Sequence, residues 1–216
     1  MLLIFDWDGT LSDSTSLITR AMQQSAQDLG WAVPEEHAVH NIIGLGLPEA
    51  LAMLFPAVDD EGRRQVRDRY RENYLLQDRI KAPQLFPEVM EGLTRLRDDG
   101  HRLAVATSKS RAGLDRVLEA MKLRGFFEAT RCADETASKP HPLMLEQLLE
   151  VLGGSPSEAV MIGDTEYDME MGRRAGMDRI AVSYGAHELH RLHPYAPALC
   201  LDRFGELLAW ERLIQV

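Results

Sequence analysis

The amino-acid sequence predicts an α/β fold, with a Rossmann-like, doubly wound parallel sheet as its core and an inserted all-helical cap domain. Two observations support this prediction. Short apolar runs alternate with amphipathic segments along most of the chain, which is typical of βαβ units and a parallel sheet. One long interval near the N-terminus breaks the alternation and contains helical patterns without a convincing strand.

The predicted strands are short apolar runs, as expected for strands that are buried on both faces of a parallel sheet. The first is Leu2–Phe5, which ends directly before Asp6. The others are Arg102–Ala106, Ala159–Ile162, Arg179–Val182 and, with a weaker pattern, Thr130–Ala133. Amphipathic helices are predicted at Glu88–Asp99, Arg111–Met121, Leu143–Leu152 and Glu166–Ala175.

The interval between the first two strands predicts the inserted cap. Its helical patterns are Ser16–Gly30, Pro34–Ile43, Pro48–Phe55 and Glu61–Gln77. We therefore expect residues 14–81 to form a helical cap over the carboxyl edge of the sheet. Residues 1–13 and 82–216 would form the α/β catalytic core.

The composition limits the possible function classes. The chain has 216 residues and a formal net charge of −10, from 24 Lys and Arg against 34 Asp and Glu. A nucleic-acid-binding protein usually carries a basic surface, so nucleic acid is not an expected partner. The same acidity repels phosphorylated substrates at long range, so any phosphate site needs local cations or a metal.

Cysteine content and hydropathy indicate the compartment. Cys132 and Cys200 lie far apart in the sequence, so neither a disulfide framework nor a zinc site is expected. The apolar run before Asp6 is short for a signal peptide and lacks a basic leader. No apolar stretch approaches the length of a membrane span. We expect a cytoplasmic protein with no membrane partner.

The first candidate motif follows the first strand and contains Asp6, Asp8 and Gly9. In open α/β sheets, ligands bind outside the carboxyl ends of the strands. Two carboxylates separated by one residue can meet there, one to attack and one to handle protons. Gly9 would allow the sharp turn, although an ordinary acidic turn remains an alternative.

The second motif, Thr107 and Ser108, follows the strand Arg102–Ala106. A hydroxyl and backbone amides at the start of a helix suit an anionic phosphoryl oxygen. A simple helix cap by Ser110 is the alternative interpretation. We expect Lys109 to be solvated.

The third motif is Lys139, which precedes the Pro-His-Pro segment 140–142. A lysine on this rigid backbone could project inward and act as a point charge on a phosphate or on a nucleophilic carboxylate. An exposed loop lysine is the alternative.

The fourth motif places Asp164 and Asp168 after the strand Ala159–Ile162, where the chain passes into a helix. Hard oxygen ligands with open water positions suit Mg²⁺. The alternative is structural: Asp164 would cap the helix and Asp168 would favour its N-terminal dipole.

With these four motifs in order, the chain resembles the haloacid dehalogenase-like (HAD) hydrolase superfamily, and within it the phosphoglycolate phosphatase-like branch with a helical cap. The resemblance covers essentially the whole chain. It implies a phosphoric monoester hydrolase that acts on a small phosphorylated metabolite and uses Mg²⁺. By this resemblance Asp6 attacks phosphorus and forms an aspartyl-phosphate, and Asp8 acts as the general acid and base.

The resemblance also implies the supporting residues. Mg²⁺ would be held by the carboxylate of Asp6, the backbone carbonyl of Asp8 and Asp164, and Asp168 would support this ligand set or its waters. Thr107 and Lys139 would stabilise the transferring phosphoryl group. Ser108 is a further expected phosphate-binding residue, and Gly44, in a glycine-containing loop of the cap, is expected to face the substrate. An ordinary turn between two helices is the alternative for this loop.

Two other functions stay open at this point. A sugar-phosphate mutase of the β-phosphoglucomutase type resembles the same scaffold, but the histidine usual in that branch is replaced here by Ile18. The second alternative is a non-catalytic regulatory protein on the same fold. The sequence leaves open whether the protein is a monomer or a homodimer.

Overall fold

The structure is a computed structural model that describes residues 1–80 and 82–214. Within these residues, six parallel strands form one sheet in the order β3-β2-β1-β4-β5-β6. This is the strand order of a doubly wound sheet, and it confirms the predicted fold class. The strands are β1 Leu2–Phe5, β2 Arg102–Thr107, β3 Ala129–Cys132, β4 Ala159–Gly163, β5 Asp178–Val182 and β6 Leu199–Leu201.

The α-helices fall into two groups along the chain. Four helices directly follow β1, within residues 15–80, and are called the helical insert: α1 Thr15–Asp28, α2 Glu36–His40, α3 Leu47–Leu54 and α4 Asp60–Ile80. The others connect or follow the strands: α5 Val89–Asp98, α6 Arg111–Ala120, α7 Leu143–Leu152, α8 Glu166–Arg174, α9 Leu189–Leu192 and α10 Glu211–Ile214. Short 3₁₀ segments occupy Pro156–Glu158, His193–Tyr195 and Phe204–Ala209.

Apolar packing follows the period-two alternation of the strands. Leu3 and Phe5 lie in the hydrophobic cluster on one face of the sheet, and Leu2 and Ile4 lie in the cluster on the other face. The helical insert has a separate apolar cluster, built from residues of its own helices and of the segments between them. Its members include Leu17, Met22, Val39, Ile43, Leu51 and Val66. The insert therefore buries its own apolar faces and is not packed on the sheet as another layer.

The position of β1 determines where a ligand can bind. Phe5 is paired with Val105 of β2 on one side and with Ile162 of β4 on the other. The strand order reverses between β1 and β4, and such a reversal opens a crevice at the carboxyl ends of the strands. The chain leaves β1 at Asp6 and β4 at Asp164, so both acids stand at this crevice.

Several predicted bounds differ from the structure. Strand β2 continues one residue further, to Thr107, and the predicted helix Pro34–Ile43 shortens to α2. Strand β6 was not predicted, because a three-residue edge strand gives too short a pattern to separate from a loop. Residues 81 and 215–216, which the sequence assigns to the cap and the core, lie outside the described residues.

None of the helices in the described part of the chain combines the length and hydrophobicity that a bilayer crossing requires.

Candidate active site

Asp6 is the first residue after β1 and lies at the centre of the site. Its backbone N–H donates to the carbonyl of Ile162 over 2.9 Å, which continues the ladder with β4 and fixes its position. The side chain is buried, with 2% of the residue exposed. Burial, together with the charges of Asp168 and Asp164, raises the pKa of Asp6 well above its usual range, although Lys139 opposes the shift.

The turn after Asp6 depends on Gly9. This residue has a φ of +87°, which is the left-handed region, as the sharp turn requires. A Cβ atom at this position would stand 2.2 Å from Oδ2 of Asp164. The glycine therefore lets the loop after β1 approach the acid that follows β4.

Asp164 is held by two hydrogen bonds. Its Oδ1 atom accepts from Oγ1 of Thr10 at 2.9 Å, and its Oδ2 atom accepts from the backbone N–H of Ala186 at 2.7 Å. Burial and the charge of Asp168 nevertheless raise the pKa of Asp164 to about 7. The sequence alternative in which Asp164 caps helix α8 is wrong, because Thr165 is the N-cap residue.

Lys139 projects inward, as the sequence interpretation required. It is 1% exposed, and its Nζ atom donates to Oδ1 of Asp6 at 2.5 Å and to Oδ1 of Asp168 at 2.6 Å. Burial opposes its charge, but the carboxylates of Asp168 and Asp6 more than offset this and hold the pKa of Lys139 above its usual range. The lysine therefore supplies a fixed positive charge between two acids. The alternative of an exposed loop lysine is wrong.

Asp168 has two structural roles at once. Its Oδ2 atom accepts from the backbone N–H of Thr165 at 3.0 Å and from the hydroxyl of Thr165 at 2.6 Å. The backbone N–H of Asp168 in turn donates to Oγ1 of Thr165 at 3.3 Å, and this bond and the one from the Thr165 backbone form a capping box at the start of α8. Its Oδ1 atom accepts from Lys139, so the start of α8 is tied to the charged cluster.

Thr107 and Ser108, at the end of β2, lie close to Gly44 of the helical insert. Thr107 is fully buried, and its Oγ1 atom accepts from the backbone N–H of Lys109 at 3.2 Å. The hydroxyl of Ser108 donates to the carbonyl of Gly44, which joins the end of β2 to the loop before α3. Ser110 caps α6 by accepting a hydrogen bond from the backbone N–H of Gly113, so the capping interpretation of Ser110 is correct. Phosphate binding by Thr107 and Ser108 stays a prediction.

The expectation that Lys109 is solvated is wrong. Its side chain is 10% exposed, and its Nζ atom donates to Oδ1 of Asp8 at 2.9 Å and to the hydroxyl of Tyr74 at 3.2 Å. Asp8 also accepts from the hydroxyl of Ser14 at 2.5 Å. One feature of the sequence does indicate a buried position for Lys109. It comes two residues after Thr107, at the carboxyl end of β2, and β2 lies next to β1.

Three of the predicted acids could hold a metal together. Single carboxylate oxygens of Asp6, Asp164 and Asp168 all lie within 4.8 Å of one another. Three buried carboxylates against the one charge of Lys139 leave an excess of negative charge, which burial makes unfavourable. An oxygen-only donor set of this kind fits Mg²⁺. The side chain of Asp8 instead faces Lys109 and Ser14.

The charged cluster opens into a cavity of about 870 Å³ between the sheet and the helical insert. Asp6, Asp8, Thr107, Ser108 and Gly44 all line it. A small molecule in this cavity would thus contact residues from the ends of β1 and β2 together with residues of the insert. The arrangement suits a carboxylate nucleophile beside a cationic group that offsets repulsion from an anionic substrate.

Comparisons with known proteins agree with this geometry. The chain is 38% identical over 214 residues to a Dickeya dadantii (strain 3937) protein named "Probable phosphatase IndB", covering 96% of this chain and 91% of that protein. It is 30% identical over 208 residues to a phosphoglycolate phosphatase of Aquifex aeolicus (strain VF5), covering 96% and 94%.

A solved structure and a family model both match most of the chain. A haloacid dehalogenase-like family hydrolase of Streptococcus pneumoniae superposes with a TM-score of 0.84 at 26% sequence identity, covering 96% of each chain. The family model described as haloacid dehalogenase-like hydrolase matches residues 3–182, which include every candidate acid and Lys139. The chain belongs to the haloacid dehalogenase-like hydrolase family.

Proposed function

We propose that the protein is a Mg²⁺-dependent phosphatase that hydrolyses a small, soluble phosphate monoester of the phosphoglycolate type through an aspartyl-phosphate on Asp6. The observation that supports this proposal is the contact of Lys139 with Asp6 inside a cluster of three buried carboxylates. We propose residues 14–81 as a cap domain over this site and residues 1–13 and 82–216 as the catalytic core.

In the first step, a carboxylate oxygen of Asp6 attacks phosphorus, and the bond between phosphorus and the ester oxygen breaks. The leaving alkoxide takes a proton from Asp8 and departs as the alcohol. Lys109 and Ser14 both donate to Oδ1 of Asp8, which leaves Oδ2 to exchange the proton. General acid catalysis of this kind contributes typically about 10²–10⁴-fold to the rate.

In the second step, Asp8 takes a proton from a water molecule, whose oxygen attacks the phosphorus of the aspartyl-phosphate. Inorganic phosphate leaves, the Asp6 carboxylate re-forms, and Asp8 is protonated again. Covalent catalysis divides one difficult displacement into two easier ones.

Charge stabilisation comes from groups around the phosphoryl position. Lys139 offsets the repulsion between the Asp6 carboxylate and the phosphate dianion, and the hydroxyl of Thr107 would donate to a phosphoryl oxygen. The hydroxyl of Ser108 would do the same on releasing the carbonyl of Gly44, because it has one hydrogen to donate. Mg²⁺ bound by Asp6, Asp164 and Asp168, with the backbone carbonyl of Asp8, would supply Lewis-acid stabilisation of the phosphoryl oxygens.

The proposal is tested by measuring phosphate release from p-nitrophenyl phosphate and from a panel of phosphorylated metabolites that includes phosphoglycolate. Activity should require Mg²⁺ and be lost on addition of a chelator. Asp6→Asn should lower kcat by about 10³-fold or more, as for loss of other catalytic nucleophiles. Asp13→Asn makes the same change at an exposed carboxylate nearby and should behave as wild type.

Contrary results would identify the other functions. Wild-type turnover by Asp6→Asn, after contaminants are excluded, would remove Asp6 as the nucleophile. Conversion of β-glucose 1-phosphate to an isomer, without free phosphate, would indicate a mutase. Binding of Mg²⁺ without turnover of any panel member would indicate a regulatory protein.

A further inference from the structure

The cavity beside Asp6 is larger than a two-carbon ester requires. Its volume of about 870 Å³ lies within the roughly 300–1,000 Å³ of pockets that bury drug-sized ligands. Beyond the phosphate-binding hydroxyls its walls come from the helical insert and include several apolar side chains, namely Ile18, Met22, Ile43, Leu47 and Leu75. The organic part of a substrate therefore has room to extend away from the phosphoryl group.

Helix α6 connects the phosphate-binding end of this cavity to an arginine. Ala112, Gly113 and Arg116 all line the cavity, and residues four apart lie on the same face of a helix. Arg116 lies six positions after the N-cap residue Ser110, which is about 9 Å along the helix axis. Because Ala112 and Gly113 have no bulky side chains, ligand atoms can lie over them on the way to Arg116.

Arg116 has hydrogen-bonding capacity that the protein does not use. Its Nε atom is buried and has no hydrogen-bond partner within the described part of the chain. Oδ2 of Asp78 lies 3.5 Å from this atom, and the guanidinium lies 5.7 Å from the centroid of the Tyr74 ring. Asp78 and Tyr74 thus position a guanidinium with five N–H donors, several of which remain for an anion.

Of the other cations that line the cavity, two are hydrogen-bonded to acids and one lies mostly in solvent. Lys109 is bonded to Asp8. Arg67 donates two hydrogen bonds to the carboxylate of Asp68, at 2.8 and 3.2 Å. Arg71 lies 3.8 Å from the same carboxylate and its side chain is 59% exposed. Arg116 is therefore the cation best placed to recognise a ligand.

Neither of the two remaining acids of the cavity contacts Arg116 among the described interactions. Glu49 stands beside Gly46, where a Cβ atom would be 2.6 Å from its Oε2 atom. Asp134 accepts a hydrogen bond from the backbone N–H of Arg111 at 2.9 Å. The described contacts therefore pair Arg116 only with Asp78.

We propose that Arg116 binds a second anionic group of the substrate, a carboxylate or a phosphate, and that this group lies further from the scissile phosphate than the carboxylate of phosphoglycolate does. Guanidinium recognises both anions through paired hydrogen bonds. This inference rests on the proposed phosphatase function and specifies its substrate class.

The test compares carboxyalkyl phosphates of increasing chain length, beginning with phosphoglycolate, against hydroxyalkyl phosphates of the same lengths. In the wild type, the ratio of kcat/KM for the acid over the alcohol should rise with chain length. At the best length it should reach about tenfold or more, mainly through KM. In Arg116→Gln this ratio should fall to near one.

The matched control is Arg124→Gln, which removes the same charge from a side chain that is 70% exposed and pairs with Glu119 at 3.7 Å. It should keep the wild-type ratio. A wild-type ratio that does not change with chain length, or a ratio that survives in Arg116→Gln, would overturn the assignment of Arg116.

Failure of the phosphatase proposal is distinguishable from failure of this one. If the wild type hydrolyses neither acids nor alcohols, the phosphatase proposal fails. Calorimetric titration with the non-hydrolysable phosphonate analogue of the longest acid then measures anion binding at Arg116 independently of turnover. Weaker binding by Arg116→Gln than by wild type and Arg124→Gln supports the site, and equal binding by all three refutes it.

Discussion

Lys109 donates a hydrogen bond from Nζ to Oδ1 of Asp8 over 2.9 Å, and this ion pair joins the chain after β2 to the chain after β1. The two side chains are only 10% and 15% exposed. Burial opposes the charge on Lys109, but Asp8 and Tyr74 more than offset it and hold the pKa of Lys109 above its usual range. Lys109 is therefore charged and partly desolvated, and Tyr74 extends the contact to helix α4 of the insert.

Lys109→Met should destabilise the fold, because it leaves the carboxylate of Asp8 partly buried without its cation. Loss of one partner from such a pair is expected to lower the free energy of unfolding by about 2–3 kcal/mol. Urea denaturation of the metal-free protein measures this change. In an Asp8→Asn background the same substitution should cost much less, and an equal cost in both backgrounds would show that the two residues are not coupled.

Mg²⁺ should stabilise the folded protein through Asp164. Because only the folded chain brings the three carboxylates together, the ion binds the native state preferentially. At a concentration of about 100 times Kd it should add about 2.7 kcal/mol to the free energy of unfolding. Thermal denaturation with Mg²⁺ and with a chelator measures this effect.

Asp164→Asn should abolish that stabilisation, whereas Asp13→Asn should preserve it. A stabilisation of the Asp164→Asn protein as large as that of the wild type would place the ion elsewhere.

The metal-free protein should lose stability as the pH rises from about 4 to 7. The ordinary pKa of an aspartate is 3.8, and burial together with the charge of Asp168 raises that of Asp164 to about 7. Between these values the folded chain holds a proton that the unfolded chain has released, so raising the pH favours unfolding. The slope of the unfolding free energy against pH should be smaller in Asp164→Asn, and an unchanged slope would contradict the prediction.

The sequence predicted the arrangement of the acids because it follows from strand order. Asp6 comes directly after one apolar run and Asp164 follows another after a single glycine, and parallel strands bring their carboxyl ends to one edge. Lys139 could be predicted because its Lys-Pro-His-Pro segment restricts the backbone before α7. These features depend on local pattern and on general rules of parallel sheets.

Lys109 and Arg116 could not be predicted in the same way. Whether a helix-start lysine or a residue on α6 faces water or a cavity depends on where the helical insert sits over the sheet. Contacts with Tyr74 and Asp78, both on α4, decide the environment of these two cations. Tyr74 and Asp78 lie more than 30 positions before the cations that they contact. Hydrophobic periodicity contains no information about such distant contacts.

Gly9→Ala should impair the site more than it impairs the fold. Alanine in the left-handed conformation costs about 1–2 kcal/mol by itself, and its Cβ would stand 2.2 Å from Oδ2 of Asp164. Since the carboxylate or the loop must move, the cluster of Asp6, Asp164 and Asp168 should separate. A displacement of about 1 Å can lower turnover about 10²-fold, and Mg²⁺-dependent stabilisation should weaken with it.

Gly30→Ala is the control that separates strain from displacement. Gly30 also has a positive φ, +70°, but a Cβ there would meet no atom within 4 Å. The variant should therefore lose about 1–2 kcal/mol of unfolding free energy and keep its turnover and its response to Mg²⁺. If Gly9→Ala showed only the same loss of stability, with full turnover, the close approach of this loop to Asp164 would not be needed for the chemistry.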